Sequence, residues 1–308
     1  MMEFMTVDQY LHTLRTEFGY TSQVRPRFFP RYLPGSLSLL YYFRLLYTLF
    51  HASFAARRGS LDNTKWAMYS YRVLRVVESV GGKVNISGLE SVAGQRGPVV
   101  YIGNHMSLVE TMILPGIALA FNRVNFVIKE ELLHYPIFAP IFRALGLIAV
   151  SRKNPRDDFK VVLNEGHKFI GNGGSLIIFP QATRKVEFDE AVFNTLGVKL
   201  AFRAGVPVVP VAIKTDFHGN GKWIKDMGPI DPGQTLYFKF GKPLPVEGKS
   251  RDVHRQVVDF ITQNLLAWGG RVKNISEVGM RNAECGGGMA ECDLRPPGPA
   301  PGGNEEYS

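Results

Sequence analysis

The chain has 308 residues, 45% of them hydrophobic and 12% aromatic, and a formal net charge of +9. That is ample apolar material for one large or two small domains, and the basic balance suits anionic lipid, phosphorylated substrates or nucleic acid. Both cysteines, Cys285 and Cys292, lie in a Gly/Pro-rich tail, which excludes a disulfide framework and a cysteine metal site.

In chain order, residues 1–35 read as an N-terminal extension. Between Ser22 and Ser60 there are six arginines and no acid. They flank the apolar stretch Leu33–Ala56 instead of lining a polar helix or an aromatic stacking platform, so nucleic acid is set aside as a partner. The stretch is long enough to suggest a membrane span. Arg44 sits near its middle, however, and an arginine at a helix centre costs about 2.5–3.5 kcal/mol on insertion scales. Arginines at both ends also leave no charge bias for a crossing direction, and the polar residues ahead of it do not resemble a signal peptide. The next segment, NTKWAMYSYRVLRVVESVGG, predicts a helix with Trp66, Tyr69, Val73, Val76, Val77 and Val80 near one face and Lys65, Arg72 and Arg75 for the other. Residues 36–82 are therefore expected to form a two-helix hairpin that docks on a membrane without crossing it, its arginines at the headgroups. The ordinary alternative is a helical hairpin covering a soluble core.

After Gly81-Gly82 the pattern becomes short apolar runs separated by helical segments. The runs are Val84–Ile86, Val99–Ile102, Val124–Ile128, Leu147–Val150, Leu176–Phe179, Val206–Ile213 and Leu236–Phe240. Helices are expected at about 107–121, 131–145, 156–171, 190–203 and 251–268. This predicts an α/β fold over 83–270, with a mostly parallel central sheet flanked by helices. Residues 271–308, Gly- and Pro-rich from Asn274 onward, are expected to be a disordered tail.

In such folds ligands collect beyond the carboxyl ends of the strands. His105, Lys129, Arg152 and Gln181-Thr183-Arg184 all fall one to five residues past a predicted strand end. His105 is followed five positions later by Glu110, the minimal apparatus for deprotonating a hydroxyl. Spacing alone proves nothing, because His12/Glu17 and His254/Asp259 share it. Five residues along a continuous helix turn a side chain by roughly 140°, so those two pairs should diverge. His254/Asp259 in particular should occupy a solvated helix face. His105 instead sits at a strand-to-helix junction, where its ring can fold back onto Glu110. Ser107 suits a cap for the following helix. No Gly-x-Ser-x-Gly elbow supports a hydrolase.

Four ordered segments, GNHMSLVE (103–110), KEELLHYPIFAPIFRALGLIAVSR (129–152), IIFPQATR (177–184) and VPVVPV (206–211), resemble the four blocks of the glycerophosphate/lysophospholipid acyltransferase family, the bacterial 1-acylglycerol-3-phosphate acyltransferases in particular. The resemblance covers roughly 83–245, and the basic hairpin at 36–82 is similar to that family's membrane-docking motif. It implies transfer of a fatty acyl group from an acyl thioester, of acyl carrier protein or coenzyme A, to the free hydroxyl of a lysophospholipid, first of all 1-acylglycerol-3-phosphate, in phospholipid biosynthesis. No cofactor is implied; the thioester is a co-substrate. His105 would be the general base and Glu110 its orienting carboxylate. Lys129, Arg152 and Arg184 would bind the acceptor phosphate, and Gln181 and Thr183 would position substrate. The implied setting is the cytoplasmic face of the inner membrane, in monotopic or peripheral attachment.

The chain departs from the family pattern at Glu110, where the first block has Asp, and at Gln181 and Ala182, where the third has Glu-Gly. One fewer carboxylate suggests an acceptor other than lysophosphatidic acid. A membrane lipid-binding protein with a decayed site is the rival from another class. The fourth block, with Val209 and Pro210, reads simply as a buried strand, and the apolar residues around Leu132–Leu145 as tunnel walls.

Overall fold

A computed structural model describes residues 5–23, 36–181, 183–219, 221 and 227–273. In chain order the elements are α1 (Val7–Thr16), β1 (Tyr20–Thr21), α2 (Ser36–Arg57), α3 (Asn63–Ser79), β2 (Lys83–Ser87), α4 (Glu90–Ala93), β3 (Val100–Gly103), α5 (Val109–Ala118), β4 (Val124–Lys129), α6 (Phe138–Ala144), β5 (Ile148–Val150), α7 (Pro155–Gly171), β6 (Ser175–Ile178), β7 (Glu187–Asp189), α8 (Leu196–Ala204), β8 (Val208–Lys214), β9 (Thr235–Phe240), α9 (Ser250–Ala267) and β10 (Arg271–Lys273). Eight strands form one sheet in the order β1-β2-β9-β8-β3-β6-β4-β5. Only β1 with β2 and β8 with β9 pair antiparallel; the other neighbours are parallel. The expected α/β class with a mostly parallel sheet is what forms.

The central strands β3, β6 and β8 are buried along their whole lengths, as continuous apolar runs must be when helices cover both faces. One face packs against α3 and α5 through Leu74, Val77, Ile113, Leu114 and Ile117. The other packs against α7, α8 and α9 through Val162, Val198, Leu200, Val257 and Ile261. Because β3, β4, β5, β6 and β8 are mutually parallel, their carboxyl ends share one edge of the sheet.

Several expectations change. Within the N-terminal extension, Tyr10 and Leu14 are buried in the core that contains α3, and β1 pairs with β2. Buried Glu78 anchors this segment, accepting from Tyr20 Oη (2.7 Å) and Ser22 Oγ (2.5 Å) while pairing with Arg75. The hairpin helices form as expected, but their faces differ. Trp66, Val73, Val76 and Val77 of α3, with Val80 just after it, pack into the core. α3 lies so close to α5 that a Cβ at Gly116 would sit 2.4 Å from Ser70 Cβ. A periodic stripe marks an apolar face but does not say what covers it.

The helix expected at 131–145 breaks at Pro136, whose ring cannot continue the preceding turn, into a 3-10 turn (Glu130–His134) and α6. The one expected at 190–203 breaks where Asn194 Oδ1 accepts the Leu196 N–H at 2.9 Å. Arg271–Lys273, placed in the tail from sequence, pair with β7 as β10. The remainder of the expected disordered tail lies outside the described residues, as do Cys285, Cys292 and Ala182.

Candidate active site

The site begins where β3 ends. Gly103 lets β8 approach closely: a Cβ there would lie 3.0 Å from Ile213 Cδ1 and 3.2 Å from the Val211 oxygen. Asn104 then replaces a strand residue with its side chain. Its Nδ2 donates to the Ile213 oxygen (2.7 Å) and its Oδ1 accepts from the Ile213 N–H (2.9 Å). This clamp fixes the turn from which His105 projects.

His105 and Glu110 meet, Nδ1 to Oε1 at 2.9 Å. The carboxylate is fully buried and collects further donors. Oε1 also accepts the backbone N–H of Met106 and of Ser107, both at 2.7 Å. Oε2 accepts the hydroxyls of Ser107 (2.6 Å) and Thr215 (2.7 Å). Burial alone would raise the Glu110 carboxyl, but the His105 hydrogen bond and charge and the two hydroxyls outweigh it and hold it below the ordinary 4.5. An ionised Glu110 makes Nδ1 the protonated ring nitrogen, which leaves the Nε2 lone pair as the basic position. The ring stacks on Phe179, with centroids 4.8 Å apart, and its side chain is 14% exposed on the cavity wall.

The extra methylene of Glu110 therefore does not misplace the carboxylate. Ser107-Leu108-Val109-Glu110 follows the Ser-x-x-Glu pattern in which an acid at a helix start reaches back to the backbone N–H of the residue three before it. Glu110 does this and holds the histidine at once. Ser107, expected to cap α5, lies one residue before its N-cap Leu108; its Oγ accepts the Val109 N–H at 3.2 Å and donates to the carboxylate. Thr215 and Asn104 were not identified from sequence. Thr215 follows β8 at the same sheet edge, and that position was the available signal.

One cavity of about 800 Å³ is lined by His105, Lys129, Arg152, Gln181, Thr183 and Arg184, so the expected substrate-facing residues converge while Glu110 lies behind His105. Lys129 pairs with exposed Glu131, whose carboxyl it holds below the ordinary range. Arg152 has φ +58°, an uncommon left-handed conformation for a non-glycine. The turn is set by Asp158, which accepts from Ser151 N–H (2.9 Å) and Oγ (3.1 Å). Buried Gln181 accepts the His105 N–H through Oε1 at 2.6 Å. Leu132, Phe138, Ile141, Phe142 and Leu145, the apolar walls expected from sequence, line the same cavity. Leu49, Trp66, Val73 and Met112 of α2, α3 and α5 complete it.

The two look-alike pairs behave differently. His12 lies within α1 and Glu17 caps it, while His254 and Asp259 both lie within α9. Neither forms an ion pair among the described residues. His254 is nevertheless not on a solvated face: it is half-buried beside Phe193, and burial lowers its imidazole.

The acyltransferase family model matches residues 83–214. Over 203 residues the chain is 29% identical to the 1-acyl-sn-glycerol-3-phosphate acyltransferase of Pseudomonas aeruginosa, covering 66% of this chain and 73% of that one. Over residues 83–214 the chain is therefore similar to acyltransferases. A chloroplastic 1-acyl-sn-glycerol-3-phosphate acyltransferase of Arabidopsis thaliana is 28% identical over 46% of this chain, a match that spans only 37% of that protein. The fold is shared with the crystal structure of the 1-acyl-sn-glycerophosphate (LPA) acyltransferase of Thermotoga maritima. That likeness has a TM-score of 0.54 at 24% identity and covers 77% of this chain and 97% of that one.

Proposed function

We propose that this acyltransferase moves a fatty acyl group from an acyl thioester to the free hydroxyl of 1-acylglycerol-3-phosphate at a membrane surface, with His105 as general base. The observation that carries the reading is one cavity whose wall holds His105, backed by Glu110, together with cationic and apolar side chains. Arg152, Arg184 and Lys129 suit a phosphate, the guanidinium groups by paired hydrogen bonds. The apolar side chains suit an acyl chain. Nε2 would take the hydroxyl proton while Glu110 stabilises the imidazolium, with the substrate's own oxygen as nucleophile and no acyl-enzyme.

Membrane attachment is supported by α2. Leu39, Phe43, Tyr47, Phe50 and Phe54 recur every three or four residues and, with Leu46, are exposed, Leu39 and Phe43 at 74% and 68%. Arg57 and Arg58 follow at the same end. This is the composition of a helix lying in one leaflet with its cations at the headgroups, which supports peripheral or monotopic attachment. The cytoplasmic face of the inner membrane is part of the proposal. No described helix is long and apolar enough to cross a membrane.

The test is a donor-by-acceptor matrix on purified protein with liposomes. Acyl-coenzyme A and acyl-acyl carrier protein are crossed with lysophosphatidic acid and other lysophospholipids, with His105→Ala as the blank. Fastest turnover of lysophosphatidic acid is the expected result. Preference for another lysolipid would transfer the assignment to a remodelling acyltransferase, which Gln181 in place of a carboxylate favours. A non-catalytic lipid binder would release no thiol in any cell. The five donors maintained around Glu110 argue against that reading.

A further inference from the structure

Among the described residues, three buried side-chain polar atoms have no hydrogen-bond partner: Ser70 Oγ, Gln181 Nε2 and His254 Nδ1. Two of the three belong to residues on the wall of the same cavity. An unpaired buried donor is unfavourable, so its persistence at a site points to a partner that arrives with the ligand.

The Gln181 amide has only one sensible orientation. The His105 N–H, 2.6 Å away, requires an acceptor, so Oε1 faces the backbone and Nε2 takes the other position. Gln181 is 3% exposed and next to the base. Several other donors at this end are committed or wet. Asn194 donates to the Pro180 oxygen and accepts from the Leu196 N–H. Lys129 is paired and partly exposed, and Thr183 and Arg152 are exposed.

We infer that Gln181 Nε2 donates to the carbonyl oxygen of the acyl thioester as that oxygen becomes an oxyanion. The inference rests on the acyl-transfer reading and adds a catalytic residue to it. The hydroxyl proton passes to His105 Nε2 and the acceptor oxygen forms a bond to the carbonyl carbon. The carbonyl π pair moves onto oxygen, where Nε2–H of Gln181 meets it. Collapse restores the carbonyl and breaks the C–S bond, and the leaving thiolate takes the proton from His105. Ester and thiol are the products. A preorganised donor in a water-poor site acts most strongly on charge that develops during reaction, so it should affect kcat more than KM.

The same amide oxygen anchors the His105 backbone, so the test must separate the two roles. Gln181→Glu keeps an acceptor for the His105 N–H and, assayed in the alkaline range where the added carboxyl is ionised, removes the donor. Gln181→Met removes both. With full-length protein on vesicles containing lysophosphatidic acid, kcat should fall on the order of 10²–10³-fold in both variants, with KM for either substrate changing by only a few-fold. Binding of a thioether analogue of the donor, which lacks the carbonyl oxygen, should be unchanged, and this also certifies the fold. A Gln181→Glu variant turning over within a few-fold of wild type would overturn the inference. So would loss of thioether binding in step with kcat in both variants. Failure of the acyl-transfer reading itself would be distinct: the wild-type protein would release no thiol on addition of any lysolipid.

Discussion

A histidine followed five residues later by an acid occurs at both 105–110 and 254–259, and only one of them is a pair. His254 and Asp259 share α9, where the intervening turn and a half separates their side chains. His105 precedes the first turn of α5, and its ring reaches Glu110 at 2.9 Å. The surroundings differ as much as the geometry. Glu110 has five donors and is held ionised, whereas Asp259 is raised by burial with only Arg255 opposing it. A catalytic dyad here is a property of the junction and its supports, not of the interval.

That contrast can be broken by substitution. His105→Ala should lower acceptor-dependent thiol release by about 10²–10⁴-fold, the usual worth of a positioned base. His254→Ala should leave kcat within about twofold, since its ring lies against Phe193 and not in the cavity. Parallel kinetics on the two variants check both. Equal losses would place the chemistry outside the 105–110 junction.

Glu110→Gln should also cost a large factor, roughly 10²-fold or more, because an amide can present its NH₂ group to Nδ1 and favour the wrong tautomer. It should also alter acid stability. The folded Glu110 carboxyl is below the ordinary 4.5, so its stabilisation is complete above that value and lost as pH falls through the folded value. Thermal unfolding of wild type and Glu110→Gln from neutral pH down to about pH 3 should converge at the acid end. A constant gap over the whole range would contradict an ionised Glu110.

Thr215→Val tests the support from β8. It removes one hydroxyl from Glu110 Oε2 and should cost about 1 kcal/mol of stability with a several-fold fall in kcat. Urea unfolding and steady-state rates measure these together. Unchanged values would mean that the backbone donors suffice.

The parts read correctly from sequence were those governed by local rules. The apolar runs gave the strands, and the position just past each run brought His105, Lys129, Arg152, Gln181, Thr183 and Arg184 to one cavity, because parallel strands must end on the same edge. What escaped was decided by pairing at long range. Asn104 and Thr215 matter only because β8 lies beside β3, and nothing in either local sequence announces that neighbour. The apolar face of α3 has the periodicity of a membrane face, yet α5 covers it, with Gly116 admitting the close approach. α2 shows the reverse: its mean hydropathy conceals two faces, one in the core through Tyr41, Leu45 and Leu49, the other exposed.

This difference between the hairpin helices gives the smallest expected effect. Phe43→Glu with Phe50→Glu should reduce co-sedimentation with anionic vesicles while leaving turnover of detergent-dispersed substrates nearly unchanged. The exposed side of α3 contributes less, so Arg72→Glu should shift vesicle binding only slightly. Equal effects from the two helices would restore docking by both.

The most direct test of the central claim follows thiol release and ester formation together, with and without lysophosphatidic acid, in the wild-type protein and in His105→Ala. The account predicts one ester for each thiol in the wild type, both dependent on the acceptor, and neither above background in the variant. Thiol release without ester, or an unchanged rate in His105→Ala, would contradict it.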